Sequence, residues 1–354
     1  MRLTVIIPAY NSRSFLLQAL QALAVSSRSP DEVMVVDDGS TDGTGALAQS
    51  LGAHLIRLPD GPRGPARARN RGAAAASGDL LVFLDADVVV HPDTLAKMEA
   101  RFREQPDLAA LFGSYDADSP SPGYVSRFKN LLHHFTHQTS FRAACTFWSG
   151  CGAIRRETFL ALGGFNESYL NPAVEDIELG MRLKQTGHRL LLDPDVQVTH
   201  LKVWTFAKMV RSDIFERAVP WTRLIMQQGR LPQTLNLNLS NRVSALLAWG
   251  ELVGLSLGFW NPAAWLAFLL LLGLQVLLNR QLYLLFAAKG PLAFLVTAVG
   301  MHHLYLLYSS LTFGIVSGAH LLSKWSGSGK LKRISLPWVA ASHREKGNLQ
   351  QPNP

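Results

Sequence analysis

Cysteine is almost missing, at 2 of 354 residues. So few thiols exclude a disulfide-stapled scaffold and any multi-cysteine zinc or iron–sulfur site, and they suit a reducing compartment. Acidic residues are scarce in the back of the chain. Residues 1–200 hold 19 Lys+Arg and 22 Asp+Glu, whereas residues 201–354 hold 15 and 4. Charge of either sign is missing from whole stretches there: Pro291 to Ser323 has none, and Val243 to Asn279 has only Glu251. No Gly-x-Gly-x-x-Gly follows the first apolar run and no G-x-x-x-x-G-K-[ST] occurs, which excludes a Rossmann dehydrogenase and a P-loop ATPase. A secretory signal is not evident either. Met1-Arg2 leads at once into Leu3 to Ile7, too short an apolar run, so the start of the chain is expected to stay in the cytoplasm.

What is present is ample core material: 48% of residues are hydrophobic, which excludes disorder, and the length fits two domains. The front alternates strand and helix. Strands are expected at Leu3–Ile7, Glu32–Val36, His54–Leu58 and Leu80–Leu84, and helices at Ser14–Ala24, Thr44–Leu51, Ala66–Ala76 and Thr94–Phe102. That alternation implies an α/β, doubly wound, mostly parallel sheet, whose ligands bind at the carboxyl ends of the strands. Acidic clusters fall at those ends.

The back half reads as membrane-associated helices over 242–323. Asn261-Pro262 divides 243–279 into halves near the minimum spanning length of about 17 residues, and 291–323 is long enough for one tilted span. Basic residues beside apolar runs point to a membrane surface rather than to nucleic acid. Three spans would place the Lys- and Arg-rich tail, 324–354, across the membrane, against the positive-inside rule. An even number of crossings is therefore expected, through a further half-span at Leu282–Ala288 or a re-entrant piece. Between the halves, 201–241 mixes Trp204, Phe206, Met209, Phe215 and Trp221 with six basic residues from Lys202 to Arg230. It suits a helix in the headgroup region, or one packed on the soluble domain.

Three carboxylate clusters carry the chemistry. Asp85-Ala86-Asp87 follows a strand; hard oxygen ligands of this kind hold Mg²⁺ or Mn²⁺, although Asp-x-Asp also occurs in ordinary loops. Asp37-Asp38-Gly39-Ser40-Thr41-Asp42 suits recognition of base and ribose, or an Asx turn and a helix cap. Glu175-Asp176 precedes a helical pattern and is either a dipole partner or a general base. His133, His134 and His137 have zinc-like spacing without a HExxH glutamate, and a solvated helix explains them more simply. Glu251 faces Arg242, a lipid headgroup or a neighbouring helix. Arg155-Arg156 meets phosphate or solvent.

Taken in order, VIIPAYN (5–11), VVDDGSTDGT (35–44), ARARNRGAAAASGDLLVFLDAD (66–87), WSGCGAIRRETFLALGGFNE (148–167) and EDIELGMRLKQTGHRLLLDPDVQVTH (175–200) resemble the family-2 glycosyltransferases. The resemblance covers about residues 3–230 and implies a GT-A fold over 1–200. It implies that Pro8, Ala9 and Tyr10 line the nucleotide base. Asp37 and Asp38 would bind base and ribose, with Arg69 or Arg71 reaching base or diphosphate. Asp85 would contact ribose or a metal-bound water, and Asp87 with His200 would hold Mn²⁺ or Mg²⁺. The Trp148-Ser149-Gly150-Cys151-Gly152 loop would border donor sugar and acceptor, its glycines allowing close approach. Asp176 would be the base, ionised at neutral pH, with Glu175 orienting the acceptor.

The implied activity is inverting transfer of one sugar from a UDP- or GDP-sugar to a lipid-linked or glycan acceptor, at a cell membrane crossed several times, with the catalytic domain cytoplasmic. The Gln-x-x-Arg-Trp of processive synthases is absent, Arg217-Ala218-Val219-Pro220-Trp221 being a faint echo, so single transfer is expected. The competing expectation is an inactive membrane protein that uses a nucleotide-sugar-binding domain as a sensor.

Overall fold

The computed structural model describes residues 1–229 and 235–325. The basic tail beyond 325 lies outside the described residues, as does Arg230. Eight strands form one sheet in the order β3-β2-β1-β4-β7-β6-β8-β5. Three of its front strands, β1 (Leu3–Ala9), β2 (Glu32–Asp37) and β3 (His54–Arg57), run parallel, and β4 (Leu80–Leu84) joins β1 on its other side, also parallel. Then the direction changes. β7 (Cys151–Arg155) runs antiparallel to β4 and to β6 (Leu108–Tyr115), β6 pairs parallel with β8 (Arg189–His200), and the short β5 (Val88–Val90) pairs antiparallel with β8.

The strands are apolar along their whole length because both faces are covered. Val5 and Ile7 point to one face and pack with Leu16, Leu20 and Leu23 of α1 (Arg13–Ala24) and with Leu95 and Met98 of α4 (Thr94–Glu104). Ile6, Met34 and Phe83 point to the other face, toward α3 (Pro65–Ala75), α6 (Arg156–Ala161) and α7 (Glu175–Gln185). α2 (Thr44–Ser50) sits beside β3. The expected front strands and helices are present with ends shifted by one or two residues. β5, β6 and β7 were not foreseen.

Two local features set up the site. Gly72 lets α3 lie close on the sheet, since a Cβ there would stand 2.5 Å from Ile6 Cγ2. α7 starts with Glu175, Asp176 and Glu178 in its first turn and ends with Arg182 and Lys184, the arrangement that suits a helix dipole.

Between β6 and β7 the chain makes α5 (Tyr124–Thr139). After β8 it makes α8 (Phe206–Arg211), a π-helical segment Ser212–Ala218 and α9 (Val219–Gln228). Then come α10 (Leu239–Leu257), α11 (Ala263–Leu278), α12 (Arg280–Ala288) and α13 (Leu292–Trp325). Among the described residues, α13 alone could cross a membrane by length and composition; α11 and α12 qualify only as a pair, bent by 73°. α12, expected as a half-span, instead packs Leu282 and Phe286 against Phe128 of α5 and Phe294 of α13. Trp204 and Met209, early in the 201–241 region, also pack inward in the same cluster.

Candidate active site

A cavity of about 720 Å³ opens at the carboxyl ends of β4 and β8. Its polar end holds Arg69, Asp85, Asp87, Glu175, Asp176 and His200. Arg69 organises this end. It is buried on α3, donates from Nη2 to Asp85 Oδ1 at 2.7 Å and from Nη1 to Glu175 Oε1 at 2.9 Å, and lies 5.6 Å from the ring centroid of Phe165. One planar guanidinium thus joins the loop after β4 to the start of α7, Glu175 lying 106 residues beyond Arg69 in the chain. Arg71 is exposed and makes no contact with this network.

Asp176 is held from three sides. Its Oδ2 accepts from the Ser149 amide at 3.1 Å and from Ser149 Oγ at 3.2 Å, and its Oδ1 accepts from its neighbour Ile177 N at 2.8 Å. Burial, and then the negative charge of Glu175, push its carboxyl up to about 6, against the opposing pull of the Ser149 amide and Arg69. Unperturbed aspartate chemistry underestimated that value. At pH 7 roughly nine in ten copies are still ionised, by the tenfold-per-unit rule. A carboxylate poised near the operating pH is what a general base requires.

Asp87 Oδ2 lies 3.7 Å from His200 Nε2, and the His200 ring stacks on Tyr115 at 4.3 Å. Burial works against the charged form of Asp87, but the nearby His200 imidazole and the Lys202 ammonium hold the carboxyl below its usual range. A carboxylate and an imidazole facing each other across a cavity suit a divalent cation. Among the described residues no three His, Cys, Asp or Glu side chains converge as a cage. Asp85 is turned to Arg69 instead. The residues therefore fit a cation with two protein ligands, the others coming from phosphate oxygens and water.

The expected base-binding residues sit apart from this cavity but on the same sheet edge. Ala9 is in register with Asp37, and Asp38 N donates to Ala9 O at 2.9 Å. Asp37 Oδ1 accepts from Ser40 N at 2.8 Å, closing the turn. Asp38 Oδ2 accepts from the Arg63 and Gly64 amides, both at 2.8 Å, while its buried Oδ1 has no partner. Pro8 and Ala9 are the last residues of β1, and Tyr10 beyond them is exposed.

In the loop before β7, Trp148 and Ser149 line the cavity but Gly150, Cys151 and Gly152 do not. A Cβ on Gly150 would stand 2.6 Å from the Trp148 indole, and one on Gly152 would stand 2.5 Å from the Phe147 ring. These glycines make room for the protein's own rings. Cys151 is buried in β7, where burial pushes its thiol well up.

Sequence reasoning missed the far wall. Lys129 is buried, hydrogen-bonded to Asp213, and lowered by that burial to about 8; Tyr308 donates to the same Asp213 at 2.7 Å. Asp213, Glu216 and Arg217 reach the cavity from the π-helical segment, a feature that often marks a functional stretch. Leu246 and Trp249 of α10 and Leu306 and Phe313 of α13 complete an apolar end. The histidine triplet of α5 is not solvated. His133 and His137 lie with ring centroids 4.1 Å apart, tilted by 44°, beside Trp148, and His137 Nδ1 lies 2.9 Å from Gly113 O. Burial drives His133 well below the usual range and His137 down to about 4, so both are neutral. Their i, i+4 spacing was legible; their burial was not. Glu251 pairs with His303 of α13 at 3.0 Å. Arg155 donates to Leu108 O at 2.8 Å and lies over Phe102, a packing role rather than phosphate binding.

Residues 4–163 match the family model described as Glycosyl transferase family 2. Over 222 residues the chain is 29% identical to the validoxylamine A glucosyltransferase of Streptomyces hygroscopicus subsp. limoneus, covering 52% of this chain and 48% of that protein. It is 24% identical over 235 residues to the O-antigen chain rhamnosyltransferase RfbN of Salmonella typhimurium, covering 62% and 74%. The chain thus spans about half the length of the first of these relatives. In three dimensions it is similar to a mannosyltransferase from Pyrobaculum calidifontis, solved with GDP-Man and Mn²⁺. The TM-score is 0.53 at 20% identity, over 88% of this chain and 86% of that one. With the strand order, the Asp-Ala-Asp loop and the Glu-Asp helix start in place, residues 4–163 are similar to a family-2 glycosyltransferase domain, and the chain has a GT-A-like fold.

Proposed function

We propose that the protein is a membrane-held, inverting glycosyltransferase that moves one sugar from a nucleotide-diphosphate sugar to the hydroxyl of a lipid-linked acceptor. The observation that carries this reading is the single cavity joining Asp176 and Asp87 to the apolar walls of α10 and α13. A base, a charged donor end and an apolar acceptor end share one space.

In this reading Asp176 accepts the proton of the acceptor hydroxyl as that oxygen attacks the anomeric carbon and the nucleoside diphosphate leaves. Ser149, donating twice to Oδ2, fixes the carboxylate's direction. Arg69 holds Glu175 beside it and keeps Asp85 turned inward at the donor end. Asp87 and His200 would hold Mn²⁺ or Mg²⁺, which when bound offsets charge on the leaving diphosphate. Trp148 and the neutral His133 and His137 form the wall beside the sugar and exclude water. UDP- and GDP-sugars are both compatible with the Asp37–Asp38 edge.

The test is nucleoside-diphosphate release from a panel of nucleotide sugars by membrane-reconstituted protein, with and without Mn²⁺ and lipid acceptors, beside Asp176→Asn. Lipid-dependent turnover lost in the variant is expected. Tight donor binding with no turnover on any acceptor would instead mark a sensor.

A further inference from the structure

The reading of the protein as membrane-held leaves open how its apolar helices meet the bilayer, and the geometry answers against a simple span. α13 is docked along most of its length. Phe294 packs on Tyr124, and Ala298 and Met301 join Phe128, Trp204 and Met209. Tyr308 bonds Asp213, and Phe313 still lines the active-site cavity. From Phe294 to Phe313 is roughly 29 Å of helix at 1.5 Å per residue. That length lies against charged parts of the catalytic domain and cannot also cross a hydrocarbon layer of about 30 Å. The remainder, Gly314 to Trp325, adds roughly 18 Å, too little to span.

Yet the outward stripe of α13 is not made for water. Leu292, Val296, Leu304, Leu311, Ile315 and Leu322 are all exposed along it. A helix docked on a soluble domain would carry polar residues there.

The hairpin of α10 and α11 is also largely apolar, Arg242 and the Glu251 paired with His303 being its charged residues, and it is short. Gly250, Gly254 and Gly258 form a ridge against Leu271, Phe268 and Trp265, which brings the two helices close. Its base is closed by Asn279 donating to Ser244 Oγ at 2.9 Å, so both ends lie on one side. From that base to Gly258 is roughly 21 Å. At the tip Phe259 and Trp260 are 75% and 81% exposed, with no charge beside them. Lys202, Lys208, Arg211 and Arg223 in the segment before these helices, and Arg280 and Lys324 on α12 and α13, are exposed, a basic set that suits anionic headgroups.

We propose that the protein is monotopic: the α10–α11 hairpin dips into the bilayer and returns, α13 lies along the surface with its outer stripe in lipid, and no described helix crosses. The basic tail then begins on the catalytic side, as the positive-inside rule asks, and the apolar end of the cavity lies at acyl-chain depth.

The experiment uses full-length protein in sealed native membranes of both orientations. Ser27→Cys, Trp260→Cys and Trp325→Cys are introduced in a Cys145→Ser background and probed with a membrane-impermeant maleimide. Ser27→Cys and Trp325→Cys should label from the same face, and Trp260→Cys only after detergent. Labelling of Trp325→Cys from the face opposite Ser27→Cys, or of Trp260→Cys from that opposite face, overturns the proposal. Should a variant not fold, a C-terminal epitope on the otherwise unaltered chain reports the same thing by protease sidedness, digestion from the far side being the refuting result. Recovery of the unaltered chain in the soluble fraction without detergent would overturn it and the membrane reading together. Loss of sugar transfer with sidedness intact would strike the proposed enzyme activity alone.

Discussion

The raised carboxyl of Asp176 gives the sharpest prediction, because its two causes can be separated. Burial is the larger and the charge of Glu175 the next. In the proposed mechanism the ionised form is the base, so kcat/KM should climb tenfold per pH unit below an inflection near 6 and level off above it. Glu175→Gln removes one negative charge while leaving the shape, and frees Arg69 from one of its two carboxylates. Both effects favour ionised Asp176, so the inflection should move down, by roughly half to one unit as expected for losing one nearby like charge. At pH 5, one unit below the unaltered inflection, the fraction ionised would rise from about one in eleven to roughly one in four to one in two. Relative to its own plateau the variant should therefore be about three- to fivefold more active at that pH. The assay is nucleoside-diphosphate release, with kcat/KM measured from pH 4.5 to 8 at fixed ionic strength. An inflection that stays put or moves upward would refute the assignment of Glu175 as a cause and weaken that of Asp176 as the base.

Asp176→Asn should lower kcat by about 10²–10⁴, the usual contribution of a positioned base. Stability should move the other way. A carboxyl raised in the fold contributes stability that is present below its unfolded pKa and lost as pH rises through about 6; the Tm gain in Asp176→Asn should be larger at pH 8 than at pH 5, and an equal gain at both would count against it. Arg69→Met should cost about 3–5 kcal/mol in chemical denaturation, since it strands a buried Glu175; a change below 1 kcal/mol would mean the bridge is dispensable. His200→Ala should raise the Mn²⁺ concentration needed for half-maximal donor turnover without moving the pH inflection, measured by metal titration. Gly150→Ala should displace the Trp148 indole and raise KM more than it lowers kcat, read from initial rates and Trp148 fluorescence.

Much of the front sheet was legible because its signals are local. Leu80 to Leu84 is an unbroken apolar run that ends in Asp85, and Pro65 opens α3 at its first turn. What was not legible is long-range. Leu108 to Tyr115 looks no more strand-like than many buried segments, and only pairing with β7 and β8 decides it. The Arg69 bridge joins positions 16 and 106 residues away, which no periodicity reveals. Glycines in the 148–152 loop were visible, but the rings they make room for belong to the loop itself and its neighbour Phe147. In the back half, hydropathy marked apolar helices correctly and could not tell a span from a helix whose inner face is covered by protein.

The reversed strand β7 has an evolutionary reach. The loops after β1, β2 and β4 come to the site edge at the carboxyl ends of their strands, whereas the Trp148–Ser149 loop comes to it at the amino end of a strand running the other way. The stretch between β6 and β7, with α5 and its Lys129 and His133, is therefore an excursion that leaves and rejoins the sheet without disturbing the donor-side strands. Insertions or wholesale exchange there could retune what receives the sugar while the register that presents Asp85 and Asp87 stays as it is. A lineage can thus change its customer and keep its supplier.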